Sequence, residues 1–463
     1  MTADTLAFPR AFAVWFRELS RWDASSFHRI KWHWPNRVMV PIGSVLRIRK
    51  EKVNKEVLKF SDLQPITIHF DGSIDKRSVD ANREYSMDLW FAHSGDIVVA
   101  KIDLKNGAVG IVPADWKNVV VTGHFAVYQP DRSKLVPEYL QRIVQARFFK
   151  DHLWRNKVGA EGRKEVKLNF FEEEHIPLPP VVEQRAIVTR WRKAQDEIAA
   201  ARDRVKERRA TLEVGFLADL GLKVPAKQQQ PRAFAVWWKD IFALSARATY
   251  LSVNNGALNL GRYPVVQGHD CFKEVRHGSS ASPSPTPTTL EVLKISAVTS
   301  GVFDPTKKKY AFDDLRVREE FALRKGDVLL CRTNGTLAYV GMSALIREDM
   351  ANLIFPDKVI RVRTNHDRIL PNYCWQVLQS YPVRAQIEAA ARTAVGNYAI
   401  GTEDIWNLRI PLPPLSVQKK IMEQVAAGRK EIAREREAAK HIAREINAEV
   451  EALILGTKKV SAL

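Results

Sequence analysis

The chain of 463 residues exceeds one ordinary core and, at roughly 150 residues per domain, predicts about two to four units. Lys and Arg number 72 against 53 Asp and Glu, and the formal charge of +19 points to a polyanionic partner, because neutralised phosphates release counterions. No run of about 18 apolar residues and no signal-type leader is present, and Cys271, Cys331 and Cys374 are too widely spaced for a disulfide framework or metal site, so the expectation is a reduced, cytoplasmic protein with no membrane partner.

Along the chain, PRAFAVW begins at Pro9, with Phe12, Trp15 and Phe16 following. It is expected either to pack on its own globule or to dock a partner, since bare aromatic surface is costly. A basic tract carries Lys76, Arg77 and Arg83. SGDIVVAKIDLKNGAVGIV from Ser94 reads as strand, glycine turn and strand, and VPEYLQRIVQ from Val136 opens a helix behind its proline. VGAEGRKEVK follows from Val158, then IPLPP from Ile176. A long helix comes next, with an apolar seam of Ile187, Trp191, Ala194, Ile198, Ala201, Val205 and Leu212, interrupted by Arg208.

AKQQQP, around Gln228 to Gln230, reads as an exposed linker, after which the same strings recur in the same order. PRAFAVW returns at Pro231, and KGDVLLCRTNGTLAYVGMSAL from Lys325 aligns its Gly326 with Gly95. LPNYCWQVLQ returns from Leu370 and IPLPP from Ile410. The second long helix carries Ile421, Val425, Gly428, Ile432, Ala439, Ile442, Ile446 and Leu453, with Glu435 on the seam. Between them, Ser279 to Thr289 is expected to be an extended, unpaired surface insertion, and Lys307 to Lys309 form another basic tract. The chain is therefore a tandem duplication of an α+β globule, each copy ending in a long helix.

Neither seam is apolar all round, so the two stripes are expected to bury one another as an antiparallel pair, the alternative being two helices packed on their own globules. About 30 helical residues span on the order of 45 Å, a little over one turn of DNA.

A duplicated globule with a Gly-Asp strand element, then IPLPP, a glutamine and a heptad helix resembles the specificity subunits of type I restriction-modification systems. The resemblance is strongest in GNYAIGTEDIWNLRIPLPPLSVQKKI from Gly396 and HIPLPPVVEQRAI from His175, and it extends over nearly the whole chain, twice. It implies an α+β fold with two tandem target recognition domains, related by a pseudo-twofold repeat and separated by two long antiparallel coiled-coil helices. On that reading residues 1–37 form an N-terminal segment and 38–174 the first recognition domain. Residues 175–225 are a helical spacer, 226–244 a linker, 245–408 the second recognition domain and 409–463 the second spacer. The resemblance also implies double-stranded DNA, two methyltransferase (modification) subunits and a motor-nuclease (restriction) subunit as partners. S-adenosylmethionine, ATP and Mg are expected on those partners and no cofactor on this chain. PRAFAVW is not a hallmark of that family.

Catalytic machinery is not expected. GxxxxGK[ST] is missing, as is the aromatic Asn-Pro-Pro or Asp-Pro-Pro motif of amino-methyltransferases. Asp131 with Glu165 and Lys167 imitates an acidic metal-nuclease site, a pattern that arises by chance in so charged a chain. A metal-dependent nuclease and a methyltransferase-independent DNA-binding defence or regulatory protein remain the alternatives. The DNA-contact candidates of the first copy are Lys76, Arg77, Lys105, Asn106, Arg163, Lys164 and Lys167. Those of the second are Arg332, Asn334, Arg392, Asn397 and Tyr398. Arg and Lys suit guanine edges and Asn suits adenine, whereas phosphate contacts position without specifying. The helix-packing candidates are Ile187, Trp191, Ile198, Val205, Ile421, Val425, Ile432, Ile442 and Ile446.

Overall fold

The computed structural model describes residues 30–78, 87–158, 165–222, 261–394 and 396–460. Both PRAFAVW copies, the AKQQQP linker, Arg83, Arg163 and Lys164 lie outside the described residues. The chain divides into two compact units, one made of Met1–Arg202 with Glu437–Leu463 and the other of Asp203–Arg436. Each long helix is thus shared between the units, a division that follows packing and not the order of the repeat.

In the first unit, Ile97–Ala100 lies inside a four-stranded antiparallel sheet, in the order Leu46–Arg49, Phe125–Pro130, Ile97–Ala100, Val109–Ile111. Successive side chains of a strand point to opposite faces, and here both faces are covered. Ile97 and Val99 join the core beneath the helices, while Val98 joins a second core with Ile66, Val119 and Val121. That second core belongs to a mixed sheet ordered Ile74–Lys76, Gln64–Ile68, Val119–Thr122, Leu89–Ala92. The predicted helix forms over Pro137–Gln145, its proline in the first turn where no intrahelical N–H is needed, and it buries Tyr139, Leu140, Ile143 and Val144. Arg147–Arg155 follows as a second short helix, burying Phe149 and Leu153.

The second unit repeats this framework. Its sheet runs Phe272–His277, Val359–Thr364, Val328–Cys331, Ser343–Leu345, with the same connections in the same order. Val328 and Leu330 face one core, Leu329 and Cys331 another. Short helices at Pro371–Gln379 and Tyr381–Ala390 stand in for the first unit's pair.

The IPLPP strings close each unit in the same way. Ile176 pairs with Val40, and Ile410 with Val266, in two-stranded ribbons, and both isoleucines are fully buried. The prolines then halt the strand, and long helices begin at Val181 (Val181–Asp219) and Leu415 (Leu415–Leu455). One turn into each helix stands a buried glutamine. Gln184 accepts from the Val136 N–H at 2.8 Å and donates to the carbonyls of Lys134 and Pro179 at 2.8 and 2.7 Å. Gln418 accepts from Leu370 at 2.8 Å and donates to Arg368 and Pro413 at 2.9 and 2.8 Å. Tyr139 and Tyr373 add matching hydroxyl bonds to the carbonyls of Pro177 and Pro411.

Within each unit the long helices bury apolar residues together. In the first, Ile187, Trp191 and Ala194 share a core with Ile442, Ile446, Val450 and Leu453, and Arg190 pairs with Glu449. In the second, Leu212, Phe216 and Leu217 share a core with Ile421, Met422 and Val425. Ile198, Val205 and Ile432 are buried as well. The two charged interruptions of the seam answer one another, because Arg208 donates to Glu435 at 2.9 Å and also to Glu431, while Arg204 approaches Glu435 at 3.6 Å. Within this unit the helices therefore run antiparallel. Gly428 leaves room for Leu212, whose Cδ1 would lie 2.4 Å from any Cβ placed there.

The Ser279 to Thr289 insertion departs from the expectation of an unpaired loop. Ser279 bridges Pro356, Pro283 bridges Ala311, and the Ser284 N–H donates to the Tyr310 carbonyl at 2.9 Å. Alternating prolines keep it extended, but enough N–H groups remain to fasten it onto neighbouring backbone.

Candidate nucleic-acid interface

The Gly-Asp element anchors each sheet. Gly95 and Gly326 sit at φ 79° and 94°, a left-handed turn that favours glycine, and the following aspartates are almost fully buried. Asp96 accepts from the His93 N–H and from Arg49, both within 2.8 Å. Asp327 accepts from the Arg324 N–H and from Arg363, each at 2.8 Å. The turn is therefore locked, and the strand leaving it carries its C-terminal end to a fixed place.

At that end stand Lys101 and Arg332. The Lys101 N–H donates to the His124 carbonyl and its Nζ to the Gly123 carbonyl at 2.7 Å. The Arg332 N–H donates to the Lys358 carbonyl and its Nη1 to the Asp357 carbonyl at 3.2 Å. Backbone and side chain thus meet the same pair of turn residues in both copies. Lys101 was not among the candidates, although SGDIVVAK set beneath KGDVLLCR places it under Arg332.

A hairpin lies beside this point in the second unit. Thr333–Asn334, Asn397–Ala399 and Arg392–Ala394 form a three-stranded sheet, and the Ile400 N–H donates to the Arg332 carbonyl. The five second-copy candidates are therefore brought together. They do not share one face: Asn334 and Tyr398 are direct cross-strand partners, whereas Asn397 pairs with Ala394 and Arg392 with Ala399, on the other side of the pleat. Arg392 is well exposed and lies 3.4 Å from Asp404. Asn334 also accepts from the Thr336 N–H, an Asx turn that fixes its amide. In the first unit Val158 and Glu165 bridge each other at the matching place, and Arg163 and Lys164 lie outside the described residues.

Lys105 and Asn106 lie in a short turn over Leu104–Asn106 that ends on left-handed Gly107. Both are half-buried, and their polar atoms serve the turn: Lys105 donates to Ile102, and Asn106 donates to Asp103 and accepts from Trp154. Lys76 and Arg77 lie at the exposed end strand of the mixed sheet, with Lys76 Nζ 4.9 Å from the centre of the Trp116 ring. The equivalent end strand of the second unit is Lys308–Tyr310, exposed throughout, with Lys308 paired to Glu291 at 2.7 Å. The repeat thus supplies a basic edge to each unit.

The nuclease-like trio is locally engaged. Asp131 accepts from both the hydroxyl and the N–H of Ser133, which with Lys134 hold its carboxyl below the ordinary range, and Lys167 pairs with Glu165 at 3.4 Å. Among the described residues, no group of three or more His, Cys, Asp or Glu side chains is placed to hold a metal ion, and no helix is long and apolar enough to cross a membrane. Cys271, Cys331 and Cys374 are free and buried, and burial pushes the first two thiols up to about 12 and about 11.

Fold and site together define an internally duplicated protein of mixed helix and sheet whose two copies share a framework. Comparison gives that class a relationship. No protein-family model matches the chain. It is 25% identical over 285 residues to the EcoKI type I restriction enzyme specificity subunit of Escherichia coli K12, a match covering 60% of this chain and 57% of that one. The StySPI specificity subunit of Salmonella potsdam is 22% identical over 289 residues, covering 62% and 58% respectively. The matched region thus spans a little over half of these relatives. A solved chain from work on complex assembly and conformational transition of the type I R-M system aligns with a TM-score of 0.52 at 16% identity, over 90% of this chain and 97% of that one. Over that region the chain is similar to type I restriction enzyme specificity subunits.

Proposed function

We propose that this chain is the DNA-recognition subunit of a type I restriction-modification complex, and that each unit reads one part of a split target while the chain itself contributes no catalytic group. The observation that carries this reading is the pairing of a repeated framework with divergent loops. The glutamine clamp at the start of each long helix (Gln184, Gln418), the Gly-Asp turn and the sheet order are the same in both units, whereas the hairpin beside Arg332 and its counterpart at Val158 differ in sequence. A protein built to read two different half-sites requires that combination, and the +19 charge supplies the sequence-independent attraction to phosphate.

In this reading the two long helices run past one another as an antiparallel coiled-coil spacer between two target recognition domains. Two methyltransferase (modification) subunits and a motor-nuclease (restriction) subunit complete the complex, and they hold S-adenosylmethionine, ATP and Mg. The different hairpins make the target asymmetric. The test is to express the chain with its modification subunits and map methylated adenines across the host genome. A two-part motif that disappears when this chain is omitted is the expected result, and methylation without any sequence preference overturns the proposal.

A further inference from the structure

Three arginines crowd the central strands of the second unit, and two of them are fully used by the protein. Arg361 is held by Glu274 and by the carbonyls of Ala322 and Glu320, and Arg363 by Asp327, Glu274 and Ala322. Arg332 is different. Among the described residues its guanidinium makes one hydrogen bond, Nη1 to the Asp357 carbonyl at 3.2 Å, and its Nε is buried without a partner. Beside it, among the described residues, His277 has an equally unpaired Nδ1, and burial together with the charge of Arg332, partly opposed by Asp357, holds that imidazole below its ordinary value. A guanidinium kept at the end of a rigid strand, against the candidate hairpin, and left short of acceptors is suited to a ligand that presents them.

The first unit has Lys101 in the same place, hydrogen-bonded to the corresponding turn carbonyl, with Lys50 where the second unit has His277. Two cations of different shape therefore occupy one framework position. Guanine presents paired acceptors, O6 and N7, along its major-groove edge, and arginine or lysine at a fixed position is the commonest side chain to meet them.

We propose that Arg332 and Lys101 are equivalent specificity-determining residues, each reading a guanine in the half-site of its own unit. This rests on the proposed DNA-recognition function and adds to it which residue of each unit selects a base. Because both sit on the locked strand and not at a hairpin tip, the two guanines should occupy corresponding positions in the two half-sites.

The experiment is selection from a pool of randomised DNA duplexes by the full-length chain, as wild type, Lys101→Ala, Arg332→Ala and the conservative Lys101→Arg and Arg332→Lys, with melting temperatures to confirm folding. Arg332→Ala should relax one guanine of one half-site by about tenfold or more and leave the other half-site intact, and Lys101→Ala should do the reverse. The conservative variants should restore part of the preference at the same position. A uniform loss across all positions, or no change in the selected motif, overturns the assignment and leaves these residues as phosphate contacts or turn braces. If the wild type selects no split motif at all, the recognition function itself fails and this inference falls with it.

Discussion

The same junction, where a short helix meets a long one, is solved in two ways in the two units. In the first, Arg142 of the short helix stacks on Trp191 of the long helix at 3.8 Å; in the second, Trp375 belongs to the short helix and Arg429 to the long one, at 3.6 Å. Burial lowers both guanidiniums below their ordinary value, and glutamine acceptors, Gln141 and Gln376, take up part of the charge. A cation on an aromatic face is a contact between two surfaces, so the partners can be exchanged without moving either helix. The glutamine clamp a few residues away shows no such exchange. It must satisfy an N–H and two carbonyls at once, with fixed geometry, and glutamine stands there in both copies.

That contrast can be broken most directly at the clamp. Gln184→Leu and Gln418→Leu each strand one half-buried N–H and two carbonyls, and each should cost on the order of 2 kcal/mol, read as faster amide exchange at Val136 or Leu370 respectively. A clear loss in one unit with none in the other would mean that the repeat is one of shape and not of energetics. The helix seam comes next. Gly428→Leu pushes against Leu212 and should destabilise the second unit by about 2 kcal/mol, with part of the loss recovered by Leu212→Ala in a double-mutant cycle. The smallest effect sharpens a difference between the sheets. Burial raises Glu274, but Arg361, Arg363 and Arg276 outweigh it and hold the carboxyl below its ordinary range, while Arg47 takes the matching register in the first unit. Its contribution is complete above the unfolded value of about 4.3 and is lost as pH falls through the lower folded value. Glu274→Gln should therefore reduce the acid sensitivity of the Val359–Thr364 strand, by under about 1 kcal/mol for a carboxylate about a third exposed, as followed by hydrogen exchange between about pH 6 and pH 3.

Much of this was legible in the sequence because it depends on short-range signals repeated twice. Pro137 and Pro371 at helix starts, the Gly-Asp turns and the apolar seams all announce themselves through local chemistry, and the second copy corroborates the first. Arg208 and Glu435 were visible only as flaws in two separate seams; that each is the remedy for the other depends on a register that no local pattern encodes. The candidate site was less legible for the same reason. Lys105 and Asn106 look like an exposed turn in sequence, but Trp154 and the helix-side packing, distant in the chain, draw their polar atoms inward. Lys101 reads as the last residue of a strand, and it stands out only when the two copies are aligned, where it falls under Arg332 and makes the corresponding bond to a turn carbonyl.

The first unit also has a schedule. The His33 N–H donates to the Leu455 carbonyl, and Trp34 donates to the Ile454 carbonyl across 420 residues of sequence. At roughly 5–20 residues per second, ribosomes deliver those carbonyls about twenty to eighty seconds after Trp34 has been made. During the later part of that interval the apolar seam from Ile187 to Ala194 has been made but lacks Ile446, Val450 and Leu453, which share its core. A nascent chain of this design therefore presents that seam before its cover exists, and truncation from the C-terminal side would leave it bare.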